Sequence, residues 1–242
     1  MTSKAYVDDV DSTSVGPTPA EVAPPALEAR SLYRFYRAGD EETLALQGVS
    51  LTVKRGEIVA VVGPSGSGKS TLLACLAGLD EPAGGSVRIN GERISHRPEA
   101  ERASMRARGV GVLFQAGNLV EHLTVQENVR LAQHIVVGVE RPSSHQVLES
   151  VGLEQRGAAY PRQLSGGESA RAGLAVALAN DPAILLADEP TGELDGETEQ
   201  RLLRLLRKRA DSGAGVLLVT HSSDVVAIAD RVIELRDGRI SP

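Results

Sequence analysis

The residues that most directly imply chemistry are Gly63-Pro64-Ser65-Gly66-Ser67-Gly68-Lys69-Ser70, followed by Thr71. Their spacing is G-x-x-x-x-G-K-S, which cradles phosphate groups when a strand precedes it and a helix follows. Glycines let the backbone turn its N–H groups toward an anion. A helix starting near Ser70 adds its positive end. Lys69 would reach the β- and γ-phosphates of a nucleotide, and the Ser70 hydroxyl would ligate Mg²⁺. The bland alternative is a glycine-rich turn with no ligand. A second constellation is Asp188-Glu189, which ends the apolar run 183–187. Asp188 is expected to hold Mg²⁺ through water, on the strand neighbouring the phosphate loop. Glu189 would then face the γ-phosphate and polarise the attacking water. Helix capping by acids is the competing reading of that pair.

Groups of this kind need a rigid frame. Four short apolar runs, 58–62, 110–114, 183–187 and 216–220, have strand length and are apolar on both faces, as strands of a covered parallel sheet are. Helices are predicted between them at 70–78, 167–179 and 196–210. The last has Leu202, Leu203, Leu205 and Leu206 on one face beside Arg and Lys. Asn90-Gly91 and Asp237-Gly238 suit tight hairpin turns, and 48–53 alternates as a half-buried strand does. Thr124 and Glu127 form a capping-box pair that opens a helix to Ile135. Ser144 opens another, ending near Gly152. The expected fold is therefore α/β, with a mostly parallel sheet, an antiparallel β portion in the N-terminal half and a small helical insert.

Composition sets limits on function. Aromatics are 2% of the chain, so the core must be built from Val, Leu, Ile and Ala. The net charge is −6, and half of it falls within 1–30, where Asp8, Asp9, Asp11, Glu21 and Glu28 oppose Lys4 and Arg30. That balance is not the basic footprint of a nucleic-acid binder. The single cysteine, Cys75, excludes an internal disulfide and lies in an apolar stretch, so a buried thiol is expected. No stretch approaches the ~18 apolar residues of a membrane span, and no signal pattern is visible at the N-terminus. Residues 1–25 read as a disordered tail, rich in Pro, Ser, Thr and Asp.

Leu164-Ser165-Gly166-Gly167-Glu168 lies between the phosphate loop and the acidic strand. It resembles the LSGGQ signature of ABC ATPases. Gln115 looks like that family's Q-loop glutamine, Leu194-Asp195 like its D-loop and His221 like its switch histidine. Tyr36 lies where the family places an adenine-stacking aromatic, with Tyr33 close enough to compete. The resemblance covers about 26–241, which would make 26–242 one ABC ATPase domain with its helical insert at about 116–163. It implies a P-loop NTPase (RecA-like) core. The 37–41 run, 63–73 and 185–192 look most like the lipoprotein-release, macrolide-export and cell-division group (LolD, MacB and FtsE type).

The resemblance implies a mechanism. ATP and Mg²⁺ would bind at Lys69, Ser70, Gln115 and Asp188. Two copies, or one copy and a paralogous subunit, would close head to tail. Ser165 and Gly167 of one would then cover the γ-phosphate held by the other, with Gly166, Glu168 and Asp195 beside them. Glu189 would orient water and His221 would steady the transferring group. An integral-membrane permease gripped near Gln115 and the insert would be driven by closure, and would hold the subunit at the cytoplasmic face of the membrane. Two departures stand out. Glu168 replaces the signature Gln, and Val176 stands where the family carries Arg. They leave open a regulatory module with weak turnover. A non-transport ABC ATPase would need a long coiled coil or zinc cysteines between Lys69 and Ser165, or two such cores and a basic surface, whereas the sequence has one core and an acidic balance.

Overall fold

Alternation in depth explains why the apolar runs become strands. The computed structural model describes residues 23–38, 41–136, 140–192 and 194–241. Strands β3 (Ile58–Val62), β6 (Val110–Leu113), β7 (Ile184–Asp188) and β8 (Gly215–Val219) run parallel in a six-stranded sheet, with β9 (Arg231–Arg236) and β10 (Arg239–Ile240) at one edge. In β7, Ile184 and Leu186 enter one buried cluster and Leu185 and Ala187 the other. In β8, Leu217 and Val219 oppose Val216 and Leu218 in the same way. Both faces are thus covered, and a polar residue at any of these positions would be buried without a partner.

Beneath one face packs α1 (Lys69–Leu76) together with an antiparallel sheet of β1 (Leu27–Ala38), β2 (Glu41–Val53), β4 (Gly84–Ile89) and β5 (Glu92–Arg93), in the order β2-β1-β4-β5. The other face is covered by α5 (Gly166–Leu178) and α6 (Gly196–Asp211). On α6, Leu202, Leu203 and Leu206 are buried in a stripe one turn long. Each such side chain contributes roughly 1.5–3 kcal/mol relative to exposure. Helices α3 (Val125–His134) and α4 (Ser144–Ser150) pack on each other and on α5. α3 opens on the Thr124–Glu127 capping box that the sequence predicts, and α4 is capped by Ser143, one residue before the predicted Ser144.

Two helices are absent from the sequence expectations: α2 (Glu99–Gly109) and the short α7 (Ser223–Ala227). The predicted tail, for residues 1–22, lies outside the described residues, as do Gly39 and Asp40 of the 37–41 run. Among the described residues no helix is long and apolar enough to cross a membrane.

Candidate nucleotide site

The turn between β3 and α1 is shaped by its glycines. Gly68 is the N-cap of α1 at φ 101°, and a Cβ there would lie 2.4 Å from the Ala45 carbonyl oxygen. Only glycine fits that combination. No acid stands in the first turn of α1, so the positive end of the helix is not compensated locally. Lys69 is buried, and its Nζ donates to the carbonyls of Gly63 (2.8 Å) and Pro64 (2.9 Å). The ammonium therefore lies folded along the loop, at the concave side of the turn. Ser65 and Gly66 form the exposed rim, while Ser67 is buried.

The predicted Asp237-Gly238 hairpin turn has a second task. Gly238 N–H donates to the Ser67 carbonyl (3.0 Å), and the Gly238 carbonyl accepts from Gln47 N–H (2.8 Å). The β9–β10 turn thus anchors the phosphate loop to β2.

Ser70 Oγ donates to Asp188 Oδ2 at 3.3 Å, so the hydroxyl and the carboxylate lie side by side. The strand arrangement expected for them is wrong. β8 separates β7 from β3, so Asp188 is not on the neighbouring strand. The two still meet because α1 crosses over β8 and packs on β7. Glu189 follows at φ 44°, in the left-handed region that non-glycine residues seldom occupy. Its N–H donates to the Val219 carbonyl (2.9 Å). Its Oε2 accepts from Thr220 Oγ1 (3.3 Å) and His221 N–H (3.2 Å), and His221 Nε2 is 3.6 Å from Oε1. Strain held by such a set of partners is a mark of functional positions.

Tyr36, Ser65, Gly66, Gly68, Lys69, Ser70, Thr71, Gln115, Asp188, Glu189 and His221 line one cleft. Tyr33 does not line it. The Tyr36 hydroxyl donates to Asp80 Oδ2 (2.8 Å), and the Arg34 guanidinium lies 4.6 Å from the ring centroid. One ring face is therefore covered by Arg34. Thr43, Leu44, Ala45 and Gln47 also line the cleft. Sequence reasoning did not find them, because nothing in a partly exposed strand marks it as facing a loop twenty residues on.

The signature residues lie elsewhere. Ser165 caps α5 and Glu168 completes a capping box with it. Ser165 N–H donates to the Glu168 carboxylate (2.9 Å), and Arg156 pairs with it (2.9 Å). That backbone hydrogen bond, with Arg156 adding to it, holds the Glu168 carboxyl below its ordinary range. Glu168 thus has full employment within its own chain as a carboxylate. Asp195 caps α6 by accepting from Thr198 N–H (3.0 Å), and this bond lowers its carboxyl from the usual value. None of Ser165, Gly166, Gly167, Glu168 and Asp195 lines the phosphate-loop cleft, although Gly166 shares a second hollow with Gln115 and Glu189.

The donor set suits Mg²⁺. The ion is hard, keeps several waters, and takes one or two protein oxygens alongside phosphate oxygens. Ser70 and Asp188 offer such oxygens side by side, with Gln115 on the same cleft. Among the described residues no cluster of three or more His, Cys, Asp or Glu forms a separate metal cage.

A phosphate loop on a parallel sheet, two acids at a strand end and a capped Ser-Gly-Gly-Glu helix start define a nucleotide-binding cassette. The family model described as "ABC transporter" matches residues 46–192. The chain belongs to the ABC transporter family, as an ATP-binding domain. It is 42% identical over 220 residues to the macrolide export ATP-binding/permease protein MacB of Shigella flexneri, covering 89% of this chain and 34% of that protein. It is 42% identical over 222 residues to the MacB of Hyphomonas neptunium, again covering 34% of it. The chain therefore spans about a third (34%) of the length of the curated relatives it matches. Among solved structures it is similar to the dimeric bacterial ABC transporter cassette MJ0796, with TM-score 0.82, 36% identity, and 89% of this chain and 97% of that chain covered. A post-hydrolysis dimer of the same cassette, bound to ADP and Pi, gives TM-score 0.81 at 36% identity.

Proposed function

We propose that this domain hydrolyses MgATP at composite sites made by two cassettes closing head to tail, and that closure drives an integral-membrane permease. The observation that carries the reading is the separation of two complete half-sites. The phosphate loop, Asp188, Glu189 and His221 share one cleft, while Ser165 and Gly167 lie outside it. Each half is of use only against its complement on another copy or a paralogous subunit.

In this reading Lys69 leaves the Gly63 and Pro64 carbonyls for the β- and γ-phosphates, and the N–H groups of the loop and the α1 start hold the same oxygens. Tyr36 offers its free ring face to the adenine. Ser70, Asp188 and Gln115 would hold Mg²⁺, which when bound neutralises charge on the β- and γ-oxygens. Glu189, held by Thr220 and His221, orients the attacking water, and His221 donates to the transferring phosphoryl group. Preorganised groups of this kind are worth on the order of 10²–10³ in rate each. Ser165 and Gly167 of the facing cassette complete the γ-phosphate cage.

The permease would dock in the groove beside the insert. Leu79, Phe114 and Ile135 are exposed there (47, 42 and 67%), an unusual cost for large apolar side chains. Val176, which replaces the arginine of the family pattern, lines the same groove and extends its apolar floor. Such docking would hold the cassette on the cytoplasmic face of the membrane. Sequence resemblance to MacB favours an export or mechanical role.

Glu189→Gln tests the reading. The variant is expected to bind ATP, to dimerise in ATP by light scattering, and to lose at least about a hundredfold in turnover. Unchanged turnover, or a monomer at saturating ATP, would refute it.

A further inference from the structure

Helix α6 touches three functional loops with its first turn. Asp195 caps it, and Thr198 Oγ1 donates to Asp195 Oδ2 (3.0 Å). Thr198 also abuts the signature, for a Cβ at Gly167 would lie 2.3 Å from Thr198 Cγ2. One residue on, Glu199 Oε1 accepts from Ser222 Oγ at 2.8 Å.

Ser222 sits next to His221. Its hydroxyl oxygen accepts from the N–H groups of Asp224 (3.2 Å) and Val225 (3.4 Å), capping α7, so its one proton goes to Glu199. Ser222 N–H donates to Thr220 Oγ1 (2.9 Å), and that hydroxyl donates to Glu189 Oε2 (3.3 Å). The hydrogen bonds form an unbroken line from Glu199 through Ser222 and Thr220 to Glu189. The His221 side chain is 59% exposed, with Nε2 3.6 Å from Glu189 Oε1, so the backbone of this loop has a large part in where its ring stands.

We propose that Glu199 is a positioning residue for hydrolysis. Through Ser222 it sets the His221 loop and the hydroxyl that orients Glu189. Because Thr198 on the same turn bears on Gly167, a displacement of the signature by nucleotide on the facing cassette is carried by α6 to Glu189 and His221 of the same chain. This rests on the composite-site reading above. The simpler alternative is that Glu199 only complements the α6 dipole, as Glu197 in the same turn does with its bond to Arg201 (2.8 Å).

The test compares Glu199→Ala, Glu199→Gln and Glu197→Ala in the full chain, by steady-state hydrolysis against ATP concentration and by urea unfolding. Loss of a charge-assisted hydrogen bond that acts only on the reacting geometry predicts about a tenfold fall in kcat for Glu199→Ala, with KM within about twofold. Gln keeps an acceptor for Ser222 and should restore most of kcat. Glu197→Ala should lose only an exposed ion pair and keep the parent kcat. Equal kcat in the two alanine variants, an effect confined to KM, or no restoration by Gln overturns the inference while leaving the composite-site reading intact. A parent chain without ATP hydrolysis overturns that reading and the inference with it.

Discussion

Gly238 is outside every nucleotide motif, yet it should matter to nucleotide binding. Its φ is 72°, and Gly152, which follows α4, has nearly the same value, 70°. Alanine in the left-handed region costs about 1–2 kcal/mol. At Gly152 that is the whole effect, since an added Cβ finds nothing within 4 Å. At Gly238 the new Cβ would lie 2.6 Å from the Ala45 carbonyl oxygen and 3.2 Å from Leu46 Cα, both backbone atoms. The turn must then move by several tenths of an ångström. Movement strains the bonds to Ser67 (3.0 Å) and Gln47 (2.8 Å), each worth about 1 kcal/mol. Gly238→Ala should therefore destabilise by about 3–4 kcal/mol, against about 1–2 for Gly152→Ala. Urea unfolding measures both. Because the Ser67 carbonyl belongs to the phosphate loop, Gly238→Ala should also raise KM for ATP, while Gly152→Ala leaves it unchanged. Equal destabilisation of the two variants, or a destabilised Gly238→Ala with the parent KM, would refute the claim that this turn anchors the loop.

Glu168→Gln restores the usual signature residue, and it should remove the Arg156 ion pair while keeping an acceptor for Ser165 N–H. The pair is partly exposed, so the loss at neutral pH should be about 0.5 kcal/mol. The Glu168 carboxyl is depressed in the fold, so its contribution is present above the ordinary carboxylate range and is lost as pH falls through the depressed value. The parent and variant unfolding midpoints should converge in acid, and a constant gap between them would count against the pairing. Burial pushes the Cys75 thiol up to about 12, so the thiolate is scarce at neutral pH. Maleimide should label the native chain slowly and the urea-unfolded chain at once, and rapid stoichiometric labelling of the native chain would show that the thiol is not buried.

The chemistry that sequence reveals here is chemistry that the backbone makes locally. The phosphate loop, the Thr124–Glu127 cap and the two hairpin turns each depend on neighbours within eight residues, and they were legible for that reason. α2 was not. It has no buried residue, so it carries no apolar period. Its surface pairs instead join Arg102 and Arg106 to Glu99, and Arg97 to Glu101. The assignment of Asp188 to a strand beside β3 failed for a different reason. Both strands are apolar on both faces, and nothing in either records that β8 lies between them. Strand order is set by the crossovers, whose helices pack on one face or the other. The same limit hid the roles of Gly238 and Glu199. Gly238 contacts a loop 171 positions earlier in the chain, through Ser67. Glu199 reaches Ser222 because α6 leaves β7 and β8 returns beside it, so the start of the helix and the end of the strand face one another. α6 is thereby tied through its first turn to the loop after β8 as well as packed on the sheet. Three buried leucines fix the helix to the core beyond its first turn, and the first turn itself is held by Thr198 on Asp195 and Glu199 on Ser222.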